Sequence, residues 1–154
     1  MNNSLPSAGR LASVDFGTVR IGVAVSDARQ TLASPLDNHT RGSQDQEAGY
    51  FRRLVKEEVL VGFVIGLPVH MSGDESQKSQ EARAFGNWLA EVTGLPVDFY
   101  DERYSSAIAD DFLAIGQLTK KQRQKRRDML AAQVILASYL ESDRKSNNPS
   151  SLGD

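Results

Sequence analysis

The sequence predicts an α/β protein in which a mixed sheet carries helices on its faces. Strand-like apolar runs follow one another through Leu36, and beyond that point strand-like runs alternate with segments of helical period. A length of 154 residues suits one domain able to bury roughly two-thirds of its unfolded surface. No linker, repeat or low-complexity block divides it. We expect one domain over residues 10–141, with residues 1–9 and 142–154 as flexible tails of polar, aperiodic composition.

The elements follow in order. Leu11 to Phe16 is an apolar run, Gly17-Thr18-Val19-Arg20 turns it, and Ile21, Val23 and Val25 alternate on the return, which signals a hairpin. Thr31 to Leu36 supplies a third strand, closed by Pro35. Gln44 to Leu60 carries Ala48, Phe51, Leu54, Val55 and Val59 at helical spacing. Val61 to Ile65 is a buried strand ended by Gly66-Leu67-Pro68. A second helix places Phe85, Trp88, Leu89 and Val92 on one face and stops at Gly94 and Pro96. Val97 to Tyr100 is a short strand leading into Asp101-Glu102-Arg103. Ser105 or Ser106 then caps a helix with Ile108, Phe112 and Ile115, and a last helix carries Ala131, Ala132, Ile135, Leu136, Tyr139 and Leu140.

Composition narrows the function classes. There is no cysteine, which excludes disulfide staples and thiolate metal sites. No apolar run approaches the roughly 20 residues that span a bilayer, and the first residues lack the pattern of a signal peptide. A cytoplasmic protein without a membrane partner is the expectation. The formal charge of -2 does not make the whole chain a nucleic-acid magnet, but its distribution is uneven. Lys120, Lys121, Arg123, Lys125, Arg126 and Arg127 crowd together immediately before Asp128. Such a run is either a solvated loop or a grip for the phosphates of a polyanion.

Acidic residues stand where burial is expected. Asp128 precedes the residues of the last apolar stripe by 3, 4, 7, 8, 11 and 12 positions and so shares that stripe. A capping role would explain a charge in a first helical turn, but less well its core-facing position. Asp15 ends the first strand, where it either bonds the following turn or joins a site. Asp101 and Glu102 cannot both point the same way if the strand geometry persists. Glu102 is the preferred site member, with Asp101 as the alternative. Carboxylates drawn together repel and raise one another's pKa, and a divalent cation removes that penalty. Mg²⁺ or Mn²⁺ on Asp15, Glu102 and Asp128 would suit phosphodiester hydrolysis, where two ions roughly 4 Å apart serve attacking and leaving oxygens. His39 and His70 sit in polar loops without metal-type spacing, and Trp88 belongs to the core.

Four segments together make a resemblance specific: Asp15 to Ala24, Gly66-Leu67-Pro68 with Gly73, Asp101-Glu102-Arg103, and Asp128 through Leu136. Over about residues 10–141 the chain resembles the YqgF family of Holliday-junction-resolvase-like nucleases. The resemblance implies a ribonuclease H-like three-layer fold with a five-stranded mixed sheet of order 3-2-1-4-5, its first three strands antiparallel and its faces flanked by helices. It also implies a cytoplasmic enzyme that trims the 5′ end of pre-16S ribosomal RNA. Asp15, Glu102 and Asp128 match the family's acids. Arg103 matches the arginine beside the glutamate, and Arg20 the hairpin arginine. The resemblance implies RNA or branched DNA as the partner, ribosomal particles as a setting, and a monomer or weak homodimer. Phe16 stands where tyrosine is common. Related enzymes often place an acid after the fourth strand, where this chain has Gly66-Leu67-Pro68. Two other readings stay open: a non-catalytic ribosome-assembly or nucleic-acid-binding factor, and a Holliday-junction DNA resolvase. Asp15-x-Gly17-Thr18 followed by Gly22 is also similar to the phosphate loop of actin-like ATPases, which close two such domains over a nucleotide.

Overall fold

The hairpin at the start of the chain forms as its alternation predicts. Its strands are β1 (Arg10–Asp15) and β2 (Arg20–Ser26), antiparallel, with Asp15 opposite Gly22. The computed structural model describes residues 5–68, 76–102 and 129–142. Over them follow β3 (Ala33–Thr40), α1 (Gln44–Glu58), β4 (Leu60–Leu67), α2 (Gln77–Thr93) and β5 (Val97–Asp101), with a last helix, α3, over 129–142. The helix expected after Ser105 or Ser106 lies outside the described residues.

The strands form one sheet of order β3-β2-β1-β4-β5. β2 pairs antiparallel with β1 and β3, while β4 runs parallel to both β1 and β5. The carboxyl ends of β1, β4 and β5 therefore meet at one edge of the sheet. Asp15 and the Asp101-Glu102 pair reach that edge from different strands.

Alternation sorts the core into two layers. Val14, Val23, Phe63, Ile65 and Val97 face α1 and α2, packing with Phe51, Leu54, Phe85 and Leu89. Leu11, Ala24 and Val64 face α3, packing with Ala132, Ile135, Leu136, Tyr139 and Leu140. The expected stripe of α3 is thus buried, with Ala131 at its margin. Ser13 ties α3 to the sheet by donating from Oγ to the Ala132 carbonyl at 2.6 Å.

The helix ends follow their caps. Ser43 opens α1 in a reciprocal capping box with Gln46, and Val59 closes it in the left-handed region. Ser76 caps α2, and its hydroxyl also donates to the Pro68 carbonyl, which joins the start of α2 to the end of β4.

Three expectations need correction. The third strand does not close at Pro35; it extends to Thr40, because β3 is an edge strand and Pro35 sits where its pairing with β2 shifts register. His39 is consequently a half-buried strand residue rather than a loop residue. Residues 5–9 are not loose: Leu5 packs on the α3-side core, and the Gln30 side-chain amide donates to the Pro6 and Gly9 carbonyls.

Candidate active site

A cavity of about 560 Å³ opens at the carboxyl edge of the parallel strands. Asp15 and Glu102 line it, with Phe16 to Arg20, Gly22 and Pro68 from the sheet side and Lys78 and Glu81 from α2. Gly17 is required at the turn, because any Cβ there would collide with the Arg20 carbonyl oxygen. Gly22, opposite Asp15, leaves the strand beside that carboxylate without a side chain.

Strand alternation separates Asp101 from Glu102. Asp101 pairs with Leu67, which belongs to the core on the α1 and α2 side. Glu102 goes the other way and lies over Gly66. A Cβ on Gly66 would come within 2.9 Å of Glu102 Oε2 and 2.5 Å of Ile135 Cδ1. The strand end that lacks an acid of its own is therefore bare because the neighbouring strand's glutamate occupies the space.

The electrostatics fit that placement. Burial pushes the Glu102 carboxyl up to about 7, and the negative charges of Asp15 and Asp101 push in the same direction. Asp101 acts on Glu102 through charge and is not among the residues that line the cavity. Arg20 lines the cavity. Among the described residues no three His, Asp or Glu side chains form a metal-holding group by themselves. Asp128, Arg103, Lys120, Lys121, Arg123, Lys125, Arg126, Arg127 and His70 lie outside the described residues.

Lys78 and Glu81 went unnoticed in the sequence. They read as ordinary polar residues of an amphipathic helix, and the packing of Ala82 and Phe85 on the sheet and the Ser76 tie to Pro68 bring their turn to the cavity. A second buried acid was also missed. Glu47, only 2% exposed, lies within 2.6 Å of His39 Nε2 and accepts from Arg41 Nε at 3.1 Å and from the Gly42 amide. Burial alone would raise its carboxyl. The hydrogen bond with His39, the Gly42 amide and the Arg41 guanidinium outweigh it, so the group is held below its ordinary value. The same Arg41 donates to the Gly17 carbonyl at 3.3 Å, which links this network to the hairpin that carries Asp15.

With the cavity placed at this sheet edge, the kinship of the chain becomes decisive. The family model described as RuvX, Holliday junction resolvase, matches residues 9–142. The chain belongs to that family. A relative from Rhodopirellula baltica, described as a candidate pre-16S rRNA nuclease, is 47% identical over 142 residues, 92% of this chain and 82% of its own. Among solved structures, the fowlpox virus resolvase bound to Holliday junction DNA aligns at a TM-score of 0.54 and 13% identity, covering 86% of this chain and 97% of that one. Thermus thermophilus RuvC with a Holliday junction substrate aligns at 0.51 and 15% identity, covering 86% and 95%. This RuvX-family chain therefore has the ribonuclease H-like fold that its motifs implied. No helix among its described residues is long and apolar enough to cross a membrane.

Proposed function

We propose that this chain is a divalent-cation-dependent nuclease that hydrolyses phosphodiester bonds of structured nucleic acid, with the 5′ end of pre-16S rRNA as its substrate. The single observation that carries the reading is the meeting of Asp15, from the end of β1, and Glu102, just past the end of β5, in one cavity. Family membership and the names of the relatives agree with it.

The residues fit a hard cation. Their donors are carboxylate oxygens, and burial with like charge makes the ionised form of Glu102 costly, a cost that an adjacent positive charge removes. Asp15, Glu102 and Asp128 would hold Mg²⁺ or Mn²⁺, with Asp101 adding negative potential from behind. When bound, such a cation supplies Lewis-acid polarisation of a phosphoryl oxygen and eases formation of the attacking hydroxide. Arg20 and Lys78 hold the strand by its phosphates at the cavity rim. Arg103 and the basic residues from Lys120 to Arg127 extend that grip without reading sequence. Such contacts suit a protein of the cytoplasm working near ribosomal particles.

Cleavage of end-labelled pre-16S rRNA and of a four-way DNA junction, with Mg²⁺ and then with chelator, tests the reading. Wild type should trim the RNA, while Asp15→Asn and Glu102→Gln should not. Equal rates in all three chains would end the assignment. Cutting of the junction alone would replace the ribosomal substrate with branched DNA. Binding that persists in chelator, with no turnover in any divalent ion, would leave an assembly factor instead.

A further inference from the structure

A second cavity, of about 450 Å³, lies around the end of β1 from the acidic one. Phe16, Ala84, Phe85 and Trp88 make its apolar wall, and Arg41 and Glu81 stand at its polar edge. Phe16 and Glu81 line the first cavity as well, so the two share a wall. We propose that this second cavity receives one unpaired nucleobase of the strand whose backbone crosses the acidic cavity. The proposal rests on the nuclease reading and adds to it a requirement for single-stranded character beside the cut.

Connectivity is the first argument. Asp15 and Phe16 are consecutive, and alternation sends them to different sides of the strand end. A phosphate held near Asp15 thus has its own nucleoside within reach of Phe16. Ring geometry is the second. The Phe16 and Phe85 centroids lie 5.0 Å apart and those of Phe85 and Trp88 5.6 Å apart, while the Arg41 guanidinium carbon sits 4.9 Å from the Phe16 centroid. Unpaired bases stack on such aromatic faces and on guanidinium planes, whatever their identity. Arg41 is held in place beforehand by Glu47 and the Gly17 carbonyl.

Charge is the third argument, and it selects the base over the phosphate. Arg41 is paired with Glu47, and Glu81 adds a further negative charge, so the lining offers a phosphate no net positive charge. A neutral base meets no such repulsion, and its amino group can donate to a carboxylate such as Glu81.

Trp88 is the chain's only tryptophan, so its fluorescence reports on this cavity alone. The experiment titrates the full-length Asp15→Asn chain with a short oligoadenylate and with a base-free sugar-phosphate oligomer of equal length. Oligoadenylate should quench Trp88 and the base-free oligomer should not. Phe16→Leu, which keeps apolar bulk but loses the ring, should weaken oligoadenylate binding about 5- to 150-fold and leave the base-free oligomer unaffected. Arg41→Lys should act in the same direction. Equal quenching by both oligomers, or unchanged affinity in Phe16→Leu, would overturn the proposal. A cavity that takes a peptide or a second copy of this chain leaves Trp88 silent to both oligomers, which also overturns it. Cleavage of end-labelled pre-16S rRNA by wild type is scored separately. Cleavage without a Trp88 response removes the base site and keeps the nuclease; the reverse result removes the nuclease and keeps the base site.

Discussion

Two glutamates, Glu47 and Glu102, sit on opposite sides of one sheet and titrate in opposite directions. Glu47 is enclosed by His39, Arg41 and the Gly42 amide, so its carboxylate is stabilised despite burial. Glu102 is enclosed by the negative charges of Asp15 and Asp101, so its carboxylate is penalised twice. The first environment completes the charge it surrounds, while the second favours a positive charge from outside. Burial is common to both; the partners separate an acid neutralised within the fold from one that favours a cation.

The largest expected effect is on turnover. Glu102→Gln keeps the shape but removes the charge that would hold a cation, so cleavage in Mg²⁺ should fall about 10³-fold or more. A rate within threefold or so of wild type would break the contrast, because Glu102 would then be no more functional than Glu47.

Next in size is the cost of removing the other acid. Glu47→Ala strands Arg41 and His39 around a space that had held their partner, and should destabilise the chain by about 3 kcal/mol, measured by urea unfolding. Glu47 is held below its ordinary value, so its contribution is present above the unfolded-state value of 4.5 and disappears as pH falls through the folded-state value. The deficit of the variant should therefore shrink on acidification.

Glu102 should show the opposite sign. Its folded-state value of about 7 lies above 4.5, so its contribution is most favourable below about pH 4.5 and is lost as pH rises through 7. In chelator, Glu102→Gln should be more stable than wild type at pH 8, by at most about 3 kcal/mol, with the gain vanishing near pH 4.5. A flat difference across that range would mean that Glu102 has a charge partner like those of Glu47.

The smallest effect concerns the bare end of β4. Gly66→Ala should cost about 1–2 kcal/mol, since Ile135 and Glu102 must both move away from the new methyl. Cleavage should suffer more than stability does, because one of the displaced groups is the carboxylate itself.

Glu47 also shows where reading the sequence goes astray. It precedes Phe51 by four and Leu54 by seven positions, which is the same stripe logic that drew attention to Asp128. Periodicity could place Glu47 in the core, but not name its partners, because His39 lies on a strand that had been ended at Pro35. The extension of β3 to Thr40 puts His39 opposite Ile21, within reach of α1.

What the sequence determined by itself was local. Alternation and helical period located the described strands and helices, and the four motif segments together pointed to the family and its sheet order, with Asp15, Glu102 and Asp128 as the expected acids. Tertiary structure decided which acid of Asp101-Glu102 enters the cavity, why β4 ends in glycine, and which buried glutamate is already neutralised. The reason is physical: propensity and period act within a segment, whereas the direction and charge of a buried side chain depend on neighbours that only strand pairing and helix packing bring together.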